Sequence, residues 1–292
     1  MLKHRLMSGV LLILALIFVA NYLPPVYTWL LLVAISCLAQ LEFYRMINNA
    51  GIFVYRIVGL VCGAALISVT FCAIGAEPEN VASAYKWEQV VMVGCMIAVF
   101  IRQFPQKNNK APFASIGCTL LGIWYVPVLF NFITRLAFGW NGLGTGLGIH
   151  ETGRMLIYYL VIVVKASDAG AYFTGMFFGR HKLFPRISPA KTWEGLFGGL
   201  AAAVFASCIF CLCTNFKLGQ LTLRHYDNIT LALLLAGFGV VGDMFESLLK
   251  RASGTKDSSS VIPGMGGILD VLDSLLFSAP VLYLYAKLFL YS

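Results

Sequence analysis

Apolar residues run along the chain in nine blocks, at residues 6–23, 26–41, 52–76, 88–101, 111–134, 154–178, 192–214, 229–249 and 267–290. Within each block hydrophobicity is continuous instead of alternating, which predicts helices and excludes the strands of an outer-membrane barrel. A membrane-crossing helix needs roughly 20 apolar residues, fewer where neighbouring helices shield it, so the short second and fourth blocks still count. Pro24 and Pro25 stand between the first two blocks, which could otherwise be read as one broken span. The predicted fold is all-α: a polytopic transmembrane helical protein of about nine spans.

Composition agrees. Hydrophobic residues make up 59% of the 292 and charged residues 12%, with a mean hydropathy of +0.82, whereas a soluble domain carries about 25% charged residues. Several long blocks exclude a lone signal peptide, and 14% aromatics exclude a disordered chain. All eight cysteines lie inside apolar blocks, so neither a disulfide framework nor a zinc site is indicated.

Charge supplies an orientation, because cytoplasmic connections collect Lys and Arg. With nine spans and a cytoplasmic N-terminus, the inner segments hold 14 of these cations and the outer segments five: Lys86, Arg135, Arg154, Lys217 and Arg224. The C-terminus is then expected outside. The formal charge of +8 is mainly a topology signal, so no nucleic-acid partner is needed to explain it. A basic inner rim also attracts anionic lipid head groups and nucleotides.

The two halves differ in kind. Residues 1–150 read as N-terminal transmembrane helices, almost purely apolar, with acids only in connections or at span edges. Residues 151–292 carry acids inside spans and two basic loops, both expected to be cytoplasmic; chemistry is expected there. Asp168 lies well inside the sixth block, at a depth where a charge costs about 2.5–3.5 kcal/mol on insertion scales and so faces a polar cavity or a partner. Lys165, three residues earlier on the same face, could simply neutralise it. Asp243, Glu246, Ser247 and Lys250 form one stripe of the eighth block, and Asp270, Asp273 and Ser274 repeat the pattern as the ninth begins. Between them, residues 250–267 hold Lys250, Arg251, Lys256 and Asp257 among serines and glycines. Carboxylate oxygens suit Mg²⁺, while Gly and Ser amides with Lys and Arg suit phosphates. A second basic segment, 179–195, contains Ser188, Lys191 and Thr192 and offers another phosphate clamp.

These residues carry a resemblance. Ser247-Leu-Leu-Lys-Arg251, Lys256-Asp257 and Ile262-Pro-Gly-Met-Gly-Gly-Ile-Leu-Asp-Val-Leu-Asp273 resemble the signature of the phosphatidate cytidylyltransferases, or CDP-diacylglycerol synthases. Ser188-Pro-Ala-Lys-Thr-Trp-Glu-Gly195 and the 168–172 stretch are similar to the same family, so that residues 160–285 match closely. Two positions depart from the pattern: Met265 stands where the family usually has His, and Val271 where it has Arg. Both missing groups are of a kind that touches phosphate.

The resemblance implies Mg²⁺-dependent transfer of CMP from CTP to phosphatidate, giving CDP-diacylglycerol and pyrophosphate for phospholipid biosynthesis. It implies Asp243 and Asp270 as metal ligands and Lys250, Arg251, Lys256, Asp257 and Asp273 as catalytic residues. Asp168, Ser188, Lys191, Thr192, Glu246 and Ser247 would be the substrate contacts. CTP, phosphatidate and membrane lipid are the expected partners, and a homodimer is compatible with the sequence. The expected location is an integral membrane protein with a cytoplasmic active face, in the inner membrane if the source is bacterial. Two alternatives stay open: a weakened or non-catalytic paralogue that binds phosphatidate, and a related lipid phosphotransferase. A transporter is disfavoured, because charge gathers at one face instead of along a path through the midplane.

Overall fold

The computed structural model describes residues 11, 14–76, 81–106, 109–140, 149–255, 259 and 266–290, with 81–83 described by backbone alone. Eight helices among the described residues are long and apolar enough to cross a bilayer. They are α1 (Pro25–Asn49), α2 (Arg56–Ala76), α3 (Val81–Gln103), α4 (Pro112–Ile123) continued into α5 (Leu129–Phe138), α6 (Glu151–Phe178), α7 (Trp193–Cys213), α8 (His225–Ala252) and α9 (Ile268–Tyr285). Large apolar side chains such as Val61, Phe100, Phe173 and Phe205 are exposed on these helices. That suits a hydrocarbon surround and not water. The molecule is a nearly all-α integral membrane protein.

Most blocks expected from the sequence correspond to helices. The block at 6–23 lies partly outside the described residues; residues 14–22 are helical, and the chain breaks at Leu23 and Pro24 before α1. Pro25 opens α1, where a missing amide hydrogen costs nothing and the fixed φ helps. The two blocks read as short become helices of 25 and 23 residues. Hydropathy truncates them because their ends carry acids that the protein itself satisfies: Glu42 in α1 and Glu88 in α3 are both buried and hydrogen-bonded. Between α4 and α5 a π-helical turn, Trp124–Val128, contains Pro127, and the wider turn absorbs the hydrogen bond that proline cannot make.

The chain divides into two compact units. The first comprises residues 1–150 together with Leu249–Val271, the second Glu151–Leu248 with Leu272–Ser292. The first unit is tied by buried polar groups as well as by its apolar core. Gln40 Nε2 donates to Tyr44 Oη and to Gly59 O, both at 3.0 Å, and Tyr44 Oη donates to Thr119 O at 2.9 Å. Gly59 and Gly122 make room for the Tyr44 ring, which a Cβ at either position would overlap. Elsewhere in this unit, Glu88 accepts Thr70 Oγ1 at 2.6 Å, Asn131 Nδ2 at 3.2 Å and Arg135 Nε at 3.0 Å, and its other oxygen pairs with the Arg135 guanidinium. Arg135, assigned by the charge pattern to an outer connection, is thus the partner of a buried acid.

In the second unit α6 and α7 pack closely through small residues. A Cβ on Gly170 would collide with Ala202, and one on Gly198 with Thr174. Small residues let backbones approach where no hydrophobic effect drives helices together. α8 and α9 meet similarly, since a Cβ on Gly242 would strike the carbonyl oxygen of Asp273. Two short hairpins depart from the purely helical expectation. β1 (Lys182–Phe184) pairs antiparallel with β2 (Ser188–Thr192), and β3 (Lys217–Leu218) with β4 (Leu221–Thr222). Both lie in connections, and the first is the basic segment singled out above.

Candidate functional site

In the first unit the polar segment begins at the last turn of α8, where Lys250 and Arg251 lie. Gly254, at φ +66°, closes that helix: its amide donates to Arg251 O at 3.2 Å and the Thr255 amide to Lys250 O at 3.0 Å. This is the pairing of a glycine-terminated helix end. At the start of α9, Gly266 adopts φ +98° and leaves space that Asp270 fills. The Gly267 amide donates to Asp270 Oδ2 at 2.5 Å, and Lys250 forms an ion pair with the same carboxylate. Only 8% of the Asp270 side chain is exposed, so the lysine charge there is little screened. Glu42 of α1 accepts the Ile268 amide at 3.1 Å and the Leu269 amide at 2.8 Å, and the Ser259 hydroxyl at 2.5 Å.

In the second unit, carboxylates and cations from four elements converge. Lys165 Nζ lies 3.2 Å from Asp168 Oδ2 and donates to Ser274 Oγ at 3.2 Å. Ser274 Oγ donates on to Asp168 Oδ2 at 3.3 Å. Asp273 is buried beside them and accepts the Ser274 amide at 2.5 Å; Asp243, Lys165 and Asp168 are all near enough to act on its charge. From the β1–β2 hairpin, Lys191 Nζ reaches Asp243 Oδ2 at 2.7 Å, and Ser247 Oγ donates to Asp243 Oδ1 at 3.4 Å. The side chains of Asp168 and Asp243 are 41% and 37% exposed, open enough to meet a ligand.

The hairpin itself is fastened to α7. Thr192 caps that helix by accepting the Gly195 amide at 3.1 Å. Glu194 accepts the Arg180 amide at 3.2 Å, the His181 amide at 3.2 Å and a ring nitrogen of His181 at 2.6 Å. Lys191 is therefore carried on a braced arm.

Of the residues singled out from the sequence, Asp168, Lys191, Asp243, Ser247 and Asp273 come together in the second unit. Ser188 lies half-buried in β2, Thr192 serves as a helix cap, and Glu246 is buried on α8. Lys250, Arg251 and Asp270 belong to the first unit. Lys256, Asp257 and Met265 lie outside the described residues. The sequence reading missed Glu42; its one signal was an acid at the polar edge of a block in an otherwise apolar half. Lys165, considered only as a neutralising neighbour, does pair with Asp168 and also reaches Ser274.

The donor chemistry fits a divalent cation bound together with phosphate. Asp243 and Asp270 offer hard oxygen ligands, and each is now balanced by a lysine ammonium. Among the described residues no three His, Cys, Asp or Glu side chains form a metal cage. A cation at either carboxylate would draw most of its oxygens from water and phosphate, as Mg²⁺ commonly does.

Fold and polar clusters define an integral membrane protein that carries lysine–carboxylate pairs within its helices and connections. The chain belongs to the cytidylyltransferase family, whose model matches residues 3–289. It is 36% identical over 182 residues to the phosphatidate cytidylyltransferase of Bacillus subtilis, and 45% identical over 129 residues to that of Haemophilus influenzae. These alignments span 62% and 44% of the lengths of those relatives, under two thirds in both cases. The phosphatidate cytidylyltransferase of Staphylococcus epidermidis is 31% identical over 252 residues, 84% of this chain and 85% of the relative.

Proposed function

We propose that this protein is a phosphatidate cytidylyltransferase, a nucleotidyltransferase that moves CMP from CTP to phosphatidate. The observation that carries the reading is the pair of lysine–carboxylate contacts at signature positions, Lys191 with Asp243 and Lys250 with Asp270. Family membership and the names of the three relatives support it.

In this reading an oxygen of the phosphatidate phosphate forms a new bond to the α-phosphorus of CTP, and the bond from that phosphorus to the α–β bridging oxygen breaks. Pyrophosphate leaves with the bond's electrons. A phosphate monoester, with a second pKa near 6, is largely ionised at pH 7, so no residue is needed to take its proton. The chain's task is to align two anions and balance their charge. Lys191 and Lys250 give their ammonium groups to phosphoryl oxygens, and Arg251 and Lys256 add further phosphate contacts. Asp243 and Asp270 would each be an oxygen ligand for Mg²⁺ in place of their lysine contacts. When bound, Mg²⁺ would draw negative charge from the phosphoryl oxygens. Asp168, held by Lys165 and Ser274, and the braced Ser188 and Thr192 orient substrate.

The active face is cytoplasmic in this proposal, with nine spans and the N-terminus inside. The distribution of Lys and Arg supports it, 14 inner cations against five outer ones. Single cysteines near Lys182 and Ser259 should then react only with reagent on the cytoplasmic side; labelling from outside would overturn that orientation.

The activity is tested with purified protein in detergent, phosphatidate, labelled CTP and Mg²⁺. CDP-diacylglycerol and pyrophosphate should form in equal amounts, and EDTA should stop the reaction. Product made equally well from another nucleotide, or none from CTP at any Mg²⁺ concentration, would exclude the assignment. Met265 and Val271 give one specific reason to run this assay first, because both replace groups of phosphate-binding type.

A further inference from the structure

The first two amides of α9, at Ile268 and Leu269, have no partner within their own helix. An N-capping side chain ordinarily accepts such donors, but the residue before the helix is Gly267, which has none. Asp270, three residues on, does reach back to the Gly267 amide at 2.5 Å, which is one half of a capping box. The other half comes from a different helix. Glu42 of α1 accepts the Ile268 amide on Oε1 at 3.1 Å and the Leu269 amide on Oε2 at 2.8 Å, while the Ser259 hydroxyl adds a third bond at 2.5 Å. Its side chain is buried, at 2% exposure.

We propose that Glu42 is a positioning residue for Asp270: by completing the split capping box it fixes the backbone of Gly267–Leu269 and so aims the Asp270 carboxylate. Three donors converge on Glu42, so the position demands a group that only accepts. A carboxylate meets that demand, whereas an amide would turn its own N–H bonds toward donors. Negative charge is also favoured at a helix N-terminus. Gly266 and Gly267 are explained by the same arrangement: a Cβ on Gly266 would displace the Asp270 carboxylate, and Gly267 leaves the cap to Glu42. The inference rests on the reading of Asp270 as a Mg²⁺ ligand, and it places a determinant of the site in the half of the chain that looked purely structural.

The test compares full-length parent protein with Glu42→Gln and Glu42→Asp. Glu88→Gln serves as control, since it disturbs another buried carboxylate of the same unit. Hydrogen exchange across residues 266–272 is measured without metal or nucleotide, Mn²⁺ binding is followed by electron paramagnetic resonance in the presence of CTP, and kcat is titrated with Mg²⁺. In Glu42→Gln the Ile268 and Leu269 amides should exchange faster, and both the Mn²⁺ Kd and the Mg²⁺ midpoint should rise about tenfold or more, the usual effect of removing a group that orients a ligand. KM for phosphatidate should stay within about twofold. Glu42→Asp should recover part of each loss, and it carries the same measurements should Glu42→Gln fail to fold. Glu88→Gln should lower thermal stability and leave exchange at 266–272 and metal affinity at parent values. Parent-like exchange and metal affinity in Glu42→Gln, or equal changes in Glu88→Gln, would overturn the proposal. A parent that makes no CDP-lipid would refute the assigned activity alone; Mn²⁺ affinity would still decide for Glu42 if it fell with the substitution and against it if it did not.

Discussion

Glu88 and Asp243 are both acids within membrane-spanning helices, yet their surroundings differ. Glu88, in the first unit, is buried and receives a hydroxyl, an amide and both faces of an arginine fork. Arg135 is itself held over the rings of Tyr85 and Phe132, at 4.5 and 4.8 Å. Every strong partner the carboxylate can take is supplied by the protein. Asp243, in the second unit, is 37% exposed and has one ammonium at 2.7 Å and a long hydroxyl bond at 3.4 Å. A saturated carboxylate holds helices together, whereas one balanced by a single lysine stays open to a further ligand, which in the proposed reaction is Mg²⁺. Burial alone does not mark a functional acid; the number and kind of its partners do.

The comparison is tested most severely at the two acids proposed as metal ligands. Asp243→Asn and Asp270→Asn should each reduce turnover by roughly a thousandfold or more, because a neutral amide is a weaker Mg²⁺ ligand than a carboxylate placed among phosphates. The unfolding temperature should stay near the parent's in Asp243→Asn; Asp270→Asn also deprives the mostly buried Lys250 of its counter-ion and should lower it, so rates are compared per folded molecule. Near-normal rates at limiting Mg²⁺ would remove either residue from the metal site. Glu88→Gln should do the reverse. Leaving the Arg135 charge buried without its counter-ion typically costs about 3–5 kcal/mol, so the thermal midpoint should fall while turnover per folded molecule is unchanged. A variant of normal stability and low activity would contradict the structural role given to Glu88. A smaller effect is expected at Lys191: removing its ammonium with Lys191→Met should raise the KM for CTP about tenfold, the scale of one charge-assisted hydrogen bond. An unchanged KM would mean that Lys191 serves only to hold Asp243.

Much of this fold is legible as hydropathy, since continuous apolar runs have few structural options in lipid. The helix ends are not, because Glu42 and Glu88 look like span boundaries until their buried partners are known. The β1–β2 hairpin was equally hidden: with Pro185 and Pro189 and no apolar alternation, it reads as a stiff loop. Asp243, Asp270 and Lys191 could be singled out from the sequence by their residue types and positions in or beside the signature segments; their lysine–carboxylate pairing could not. Glu42 was not legible, since the amide of Leu269 lies 227 residues further along the chain and no local pattern links an acid to a partner that distant. Lys165 was visible but underestimated: its helical spacing shows the contact with Asp168, while its contact with Ser274 depends on how α6 packs against α9.

The smallest effect is expected at Val271, which is half-buried in the first turn of α9, next to Asp270. If the site lacks a phosphate-side cation there, Val271→Arg supplies one more donor fork. A charge-assisted hydrogen bond is typically worth about 1.5–3 kcal/mol. Ordering an arginine side chain costs up to about 2 kcal/mol of rotamer entropy, so most of that gain is cancelled. The apparent KM for CTP or phosphatidate should therefore fall only a few-fold, with kcat nearly constant, because a contact made equally in the ground and transition states does not change the chemical step. Steady-state titration of each substrate against parent and variant distinguishes the possibilities. A fall in KM for one substrate shows which anion lies beside residue 271. A rise in KM for both would mean that the space is already filled by apolar packing, and that valine here is part of the helix interface and not a missing phosphate contact.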